Sequence, residues 1–271
     1  MTSVPASLQF IEHDPEKPYF YSAQLTGEGP RFFFDTERHQ VSIRDMREVA
    51  ANLSLDNEGF LLVPHRTSVT DLHDDDALRN VYYPELEALL KEILGAERVV
   101  IFDSTRRSDS RTGAKNPDGA RKPADRVHVD YTELSAPKRV RDVLGNEEAE
   151  RLEREGTRIR QVNVWRPMRG PVVRSPLALA DASSVERDDL VATQQHFPDR
   201  IGEIYHLAYS REHRWYYAPE MTPNEVILIK GWDSVDDGRA RFTPHSAFEH
   251  PETPENAPPR ESIETRTLVI G

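Results

Sequence analysis

Cysteine is absent from the sequence, which excludes disulfides, thiolate metal sites and cysteine nucleophiles together. Long apolar runs are missing too: none approaches the ~20 residues needed to cross a bilayer. Residues 1–10 lack the basic segment and apolar core of a signal peptide. The expected location is the cytoplasm, with no membrane partner. Basic charge is in short supply, with 35 Lys and Arg against 47 Asp and Glu and a net charge of -12. A nucleic-acid binder needs a basic face to displace counterions from phosphates, so no nucleic-acid partner is expected. That balance still permits a local basic pocket for an acidic small molecule. There is no dinucleotide-binding or P-loop glycine pattern, no internal repeat, and no nucleophile-elbow glycines to support Ser-His-Asp catalysis.

What is present is a chain of 271 residues, 37% hydrophobic and 30% charged. That length suits one large domain, and 1–271 is read as one. Its apolar residues concentrate in short runs at 99–102, 162–165, 226–229 and 267–270. Strands are expected at 60–64, 99–104, 127–131, 161–166, 180–185, 202–209, 226–230 and 262–270, and a hairpin from 19–25 and 31–34 across the turn 26–30. Tyr216 and Tyr217 read as a strand with one residue in and one out. Helices are expected mainly in 40–95 and 137–160. Among them, 82–94 carries Leu86, Leu89, Leu90, Ile93 and Leu94 at helical spacing. Residues 43–54 also have helical spacing, and 138–160 is a charged surface stretch. The polar segment 105–125 reads as a long loop, of the kind that serves as a lid. Many short strands near ten residues apart are the habit of a sandwich or barrel, so the fold class is mainly β with flanking helices.

The residues that carry chemistry begin with Arg126-Val-His128-Val-Asp130-Tyr131. Residues two apart on a strand share a face, so an imidazole and a carboxylate would stand side by side. A second histidine from elsewhere would complete two histidines and one carboxylate, the facial set of non-heme iron(II) oxygenases. His245, in Phe242-Thr-Pro-His245-Ser-Ala-Phe248, is the candidate. The bland alternatives are a polar strand face and a packing histidine. Fifteen residues beyond His245, Arg260 and Ser262 open the last strand with matching parity, and a buried arginine there could grip a carboxylate. Arg266 shares that parity and competes with Arg260.

His-x-Asp, a distal His, then Arg-x-Ser on a late strand resembles the double-stranded β-helix (jelly-roll, cupin-like) 2-oxoglutarate oxygenases. A closer resemblance runs through residues 20–270. VHVDYT (127–132), NVWRP (163–167), SPLALAD (175–181), GWDS (231–234), TPHSAF (243–248) and RESIETR (260–266) look like the AsaB-like, CmcJ-related hydroxylase/desaturase family. The resemblance implies a jelly-roll core, Fe(II), 2-oxoglutarate as co-substrate, O2, and a small-molecule substrate from secondary metabolism. It implies His128, Asp130 and His245 as iron ligands and Arg260 with Ser262, or Arg266, for the 2-oxoglutarate carboxylate. Asn163, Trp165 and Arg166 would line the pocket, with core packing as the alternative for Trp165, and Tyr131 and Tyr205 could meet substrate. The rivals are a cupin-type metalloenzyme without 2-oxoglutarate and an accessory or metabolite-binding protein. The sequence sets no oligomeric state, and a homodimer is compatible with it.

Overall fold

The computed structural model describes residues 2–13, 17–27, 29–117 and 119–271. In chain order its strands are β1 (Ser3–Ile11), β2 (Tyr19–Tyr21), β3 (Arg31–Phe33), β4 (Thr36–Asp45), β5 (Phe60–Pro64), β6 (Arg98–Ser108), β7 (Ala114–Asn116), β8 (Gly119–Arg121), β9 (His128–Val129), β10 (Ile159–Pro167), β11 (Leu177–Ala180), β12 (Leu190–His196), β13 (Ile201–Leu207), β14 (Trp215–Tyr217), β15 (Glu225–Asp233), β16 (His245–Ala247) and β17 (Glu261–Ile270). The helices are α1 (Ala23–Thr26), α2 (Asp75–Ala77), α3 (Tyr83–Leu94), α4 (Ser135–Leu144) and α5 (Asn146–Arg154), with a π-helical turn, Leu78–Tyr82, joining α2 to α3.

Two sheets make the body. The larger has the order β1-β4-β14-β11-β16-β9-β13-β12-β2-β3 and the smaller β5-β15-β10-β17-β6. The smaller sheet is covered on both faces. Strand β10 is buried at every position. Its Val162 and Val164 pack with Tyr82, Leu86 and Leu90 of the helical layer. The other face of β10 puts Trp165 among Ile227, Ile229, Leu177, Leu179 and Tyr216, in the space between the two sheets. This is the double-stranded β-helix expected from the sequence. The larger sheet also curls: Gln9 bridges to Arg126 and Ile11 to Ala208. The curl encloses Leu8, Phe10, Ile43, Leu207 and Trp215. Helices α4 and α5 close one end over Tyr131, Trp232, Leu268 and Ile270. No helix among the described residues is long and apolar enough to cross a membrane.

Several local expectations change. Residues 43–54 are not one helix: β4 continues through Asp45, then a 3-10 helix takes Met46–Asn52. The strand expected at 180–185 is β11, which ends at Ala180. Asp181 then caps a 3-10 turn at Ala182–Ser184 by accepting from Ser183 N. Tyr216 and Tyr217 are both buried, because the curl covers the outer face of their strand as well as the inner one. The stretch 138–160 divides at Gly145 (φ 84°) into α4 and α5. The presumed loop 105–125 begins inside β6 and then forms the β7–β8 hairpin; its Asp118 lies outside the described residues, as does Glu28 in the turn of the β2–β3 hairpin.

Candidate metal centre

Strand register brings the donors together. His245 on β16 lies directly opposite His128 on β9, and His206 on β13 lies opposite His128 on the other side. The first two rings sit 4.6 Å apart between centroids. His128 Nδ1 bonds the carbonyl of Arg126 at 2.9 Å, and His245 Nδ1 bonds the carbonyl of Thr243 at 3.0 Å. A carbonyl only accepts, so both Nδ1 atoms carry the proton and both Nε2 lone pairs are free. Asp130 Oδ2 is held by Asn163 Nδ2 at 2.7 Å and Arg266 Nε at 3.0 Å. Its Oδ1 points to His128 Nε2, 3.8 Å away. One donor atom from each of His128, Asp130 and His245 lies within 4.8 Å of the others. Two neutral imidazoles and a carboxylate, each fixed by an outer partner, are a donor set that fits a divalent iron on one octahedral face.

The electrostatics agree. Burial, and secondarily the neighbouring His245, push the His128 imidazolium down to about 3, so the ring is neutral and able to ligate at neutral pH. Burial alone would raise the Asp130 carboxyl. The Arg266 charge and its hydrogen bond overcome it and hold the group far below the usual carboxylate range, so it stays an anion. Beside these donors is a narrow cleft lined by Arg107, Trp165, Arg260 and Glu264 as well as His128 and His245.

The remaining sequence candidates divide. Arg260 is 4% exposed, lies 5.5 Å from the Trp165 ring centroid, and has a buried Nε without a partner. Burial, and then Arg107, push its guanidinium down to about 9. Trp165 both lines the cleft and packs between the sheets. Ser262, buried, shares the β17 face of Glu264 and Arg266. Arg266 is engaged by Asp130, by Asp103 at 2.7 Å and by Glu264 at 2.6 Å. It braces Asp130 rather than lining the cleft. Asn163, register partner of Arg266, does the same.

Three candidates lie elsewhere. Arg166 follows Trp165 on a strand, so it faces the helical layer, where it bonds Tyr82 Oη at 3.0 Å, the His65 carbonyl, the His65 ring and the Pro223 carbonyl. Tyr131 packs under α4 and α5 with Ala136, Val140 and Trp232. Tyr205 sits edge-on to Phe242 at 5.1 Å, and its hydroxyl accepts weakly from Glu133 N. Sequence reasoning missed Arg107 and Glu264. Glu264 has the β17 parity of Ser262 and Arg266, which would have found it. Arg107 was hidden by reading its segment as loop.

Comparison with known proteins now adds to the geometry. Residues 8–270 match a family described as an oxidoreductase/YMDC permease-like domain. The hydroxylase/desaturase CTB9 of Cercospora beticola is 38% identical over 254 residues, covering 86% of this chain and 77% of that protein. The hydroxylase/desaturase asaB of Aspergillus flavus is 42% identical over 129 residues, 42% of this chain and 56% of that one. NvfI of Aspergillus novofumigatus, an Fe(II)/2-oxoglutarate-dependent dioxygenase, is 33% identical over 246 residues, 88% of this chain and 85% of its own length. A solved structure of NvfI, described as an iron- and α-ketoglutarate-dependent endoperoxidase, superposes with a TM-score of 0.86 at 30% identity, covering 100% of this chain and 98% of that one. The chain belongs to this oxidoreductase family, among the AsaB-like hydroxylase/desaturases and Fe(II)/2-oxoglutarate-dependent dioxygenases.

Proposed function

We propose that the protein is an Fe(II)/2-oxoglutarate-dependent oxygenase that hydroxylates or desaturates a small molecule of secondary metabolism, with Nε2 of His128, Nε2 of His245 and Oδ1 of Asp130 holding the iron. The observation that carries this reading is the convergence of three unengaged donors, each locked by a partner on its far side, two of them at the wall of a cleft that also holds Arg260. Arg260, with Ser262 beside it, takes the far carboxylate of 2-oxoglutarate. Arg266 is already saturated by Asp130, Glu264 and Asp103, whereas Arg260 keeps a free buried N–H. When bound, iron, 2-oxoglutarate and O2 supply the oxidising power that removes hydrogen from the substrate and yields succinate and CO2.

The chain's own residues do the positioning. Asn163 and Arg266 orient Asp130. The carbonyls of Arg126 and Thr243 fix the two imidazole tautomers. Trp165 and Ala124 wall the cleft, and the Ala124 carbonyl, accepting from Ala247 N at 2.8 Å, pins its segment beside β16. We further read the chain as a single catalytic domain working in the cytoplasm. β1 at the start and β17 at the end both lie in the two-sheet body, which supports one domain.

The test is anaerobic. Fe(II) is added to the purified protein, then 2-oxoglutarate, and the weak visible charge-transfer band of the chelate is followed. The band should appear in the native protein and vanish in His245→Ala. Iron binding with no band would shift the reading to a cupin-type metalloenzyme, and no iron binding at all would leave an accessory protein.

A further inference from the structure

Arg260 accounts for one end of a dicarboxylate and leaves a second guanidinium in the same cleft unexplained. Arg107 stands on β6 opposite Ser262 in the β17 ladder, and it lines the cleft with His128, His245 and Arg260. Its one side-chain hydrogen bond among the described residues runs from Nη1 to the carbonyl of Lys122, at 2.9 Å. Burial is the main force lowering its proton affinity.

Neither cleft arginine has a carboxylate of its own. Glu264 is taken by Arg266 Nη2 at 2.6 Å. Asp109 is taken by Arg174 at 2.9 Å, by the Ser175 hydroxyl at 2.6 Å and by the backbone N–H of Arg260 at 2.7 Å. Two cations that disfavour each other line one cleft, and the carboxylate that lines it with them, Glu264, lies against a third, Arg266, so positive charge is in excess there.

The two cations also sit at different ends. Along β17, Arg266 holds Asp130, Arg107 stands opposite Ser262 four residues back, and Arg260 lies two residues further, where its carbonyl accepts from Asp109 N. Arg107 therefore stands nearer the metal end of the cleft than Arg260. A 2-oxo dicarboxylate carries one negative charge at each end, which matches the pair in number, sign and placement.

We propose that Arg107 is a second carboxylate-binding residue, receiving the carboxylate next to the keto group of 2-oxoglutarate while Arg260 receives the distant one. This rests on reading the cleft as the 2-oxoglutarate site. Arg107 would then also couple co-substrate to the segment before Ala124, because the same side chain holds the Lys122 carbonyl.

Two acids separate the ends: 2-oxoglutarate, and 2-oxobutanoate, which keeps the 2-oxo acid end and lacks the far carboxylate. Each is titrated calorimetrically into the anaerobic Fe(II) protein, so the readout is affinity and not turnover. The native protein should prefer 2-oxoglutarate, and Arg260→Ala should abolish that preference. Arg107→Ala should weaken both acids by the same factor, about 10- to 100-fold for a lost charge-assisted contact. Arg107→Lys, which keeps the charge and perturbs packing least, should recover part of the loss. Unchanged affinity for both acids in Arg107→Ala, or weakening of 2-oxoglutarate alone, overturns the proposal. A native protein that binds the two acids alike overturns the 2-oxoglutarate reading first, before any variant is made.

Discussion

Two charge clusters, each partly buried, are linked through Gly59 and Thr243, and they are built on opposite principles. In one, Lys230 and Asp233 have fully buried side chains. Lys230 Nζ donates to Asp233 at 2.8 Å and to Asp56 at 2.6 Å, while Arg158 bridges the same two carboxylates. Arg239 joins at Asp56, 3.3 Å away, so every charge in the set has a partner within it. In the other, Arg107 and Arg260 face a cleft whose lining carboxylate, Glu264, already lies 2.6 Å from a third cation, Arg266. A closed cluster fixes a fold, because each member satisfies another; an unmatched one costs stability and is explained by a charge that comes from outside. The clusters are joined: the Gly59 carbonyl accepts from Lys230 N at 2.8 Å and from the Thr243 hydroxyl at 2.9 Å, and the Thr243 carbonyl holds His245.

The comparison breaks most visibly at Lys230. Lys230→Met leaves buried carboxylates short of a partner and should cost about 3–5 kcal/mol in chemical denaturation, with little change in 2-oxoglutarate affinity in what remains folded. Arg260→Met should do the reverse. Its stability should stay within about 1 kcal/mol of native, since an under-partnered cation is removed, while 2-oxoglutarate binding drops by about 1.5–3 kcal/mol, read by calorimetry.

Gly59→Ala probes the joint. Gly59 has φ 85°, and an added Cβ would fall 2.2 Å from Thr243 Oγ1. We expect a loss of about 1–2 kcal/mol of stability from the left-handed backbone alone, and weaker metal binding as Thr243 shifts under His245, measured by metal titration. An unaltered metal affinity would show the clusters to be independent.

The mildest test is acid. Burial alone would raise the carboxyls of Asp56 and Asp233, but hydrogen bonds from Arg158 and Lys230 hold both below the ordinary range. A depressed carboxyl stabilises the fold above its unfolded value, near pH ~4, and that contribution is lost as pH falls further toward the folded value. Melting temperature should therefore decline below about pH 4, and less steeply in Lys230→Met than in the native protein.

Much of this was legible in the sequence. Spacing of two placed His128 beside Asp130, and the apolar runs at 162–165, 226–229 and 267–270 marked the central strands of the smaller sheet. Parity also held more than was taken from it: Trp165 and Arg166 are neighbours on one strand, so both could not enter the cleft. Cross-strand register was not legible. Nothing local says that Arg266 lies opposite Asn163, and that pairing is what turns both onto Asp130. Strands β4 and β12 escaped notice because each buries a single residue fully, Ile43 and Thr193. Arg107 escaped because Arg106 and Arg107 read as loop charge, whereas one reaches Asp75 and Leu72 on the helical side and the other faces the cleft.

Strand β9 is the shortest of the described strands, two residues long. It touches β16 at one register position and β13 at two. The seam of the larger sheet is thus narrowest where two of the three proposed metal donors stand. A cation shared by His128, Asp130 and His245 would be a rivet across that seam, tying β9 to β16 where a ladder of hydrogen bonds has no length to do so. On the proposed reading, holding the metal and keeping the sheet whole are, at this place, a single mechanical task.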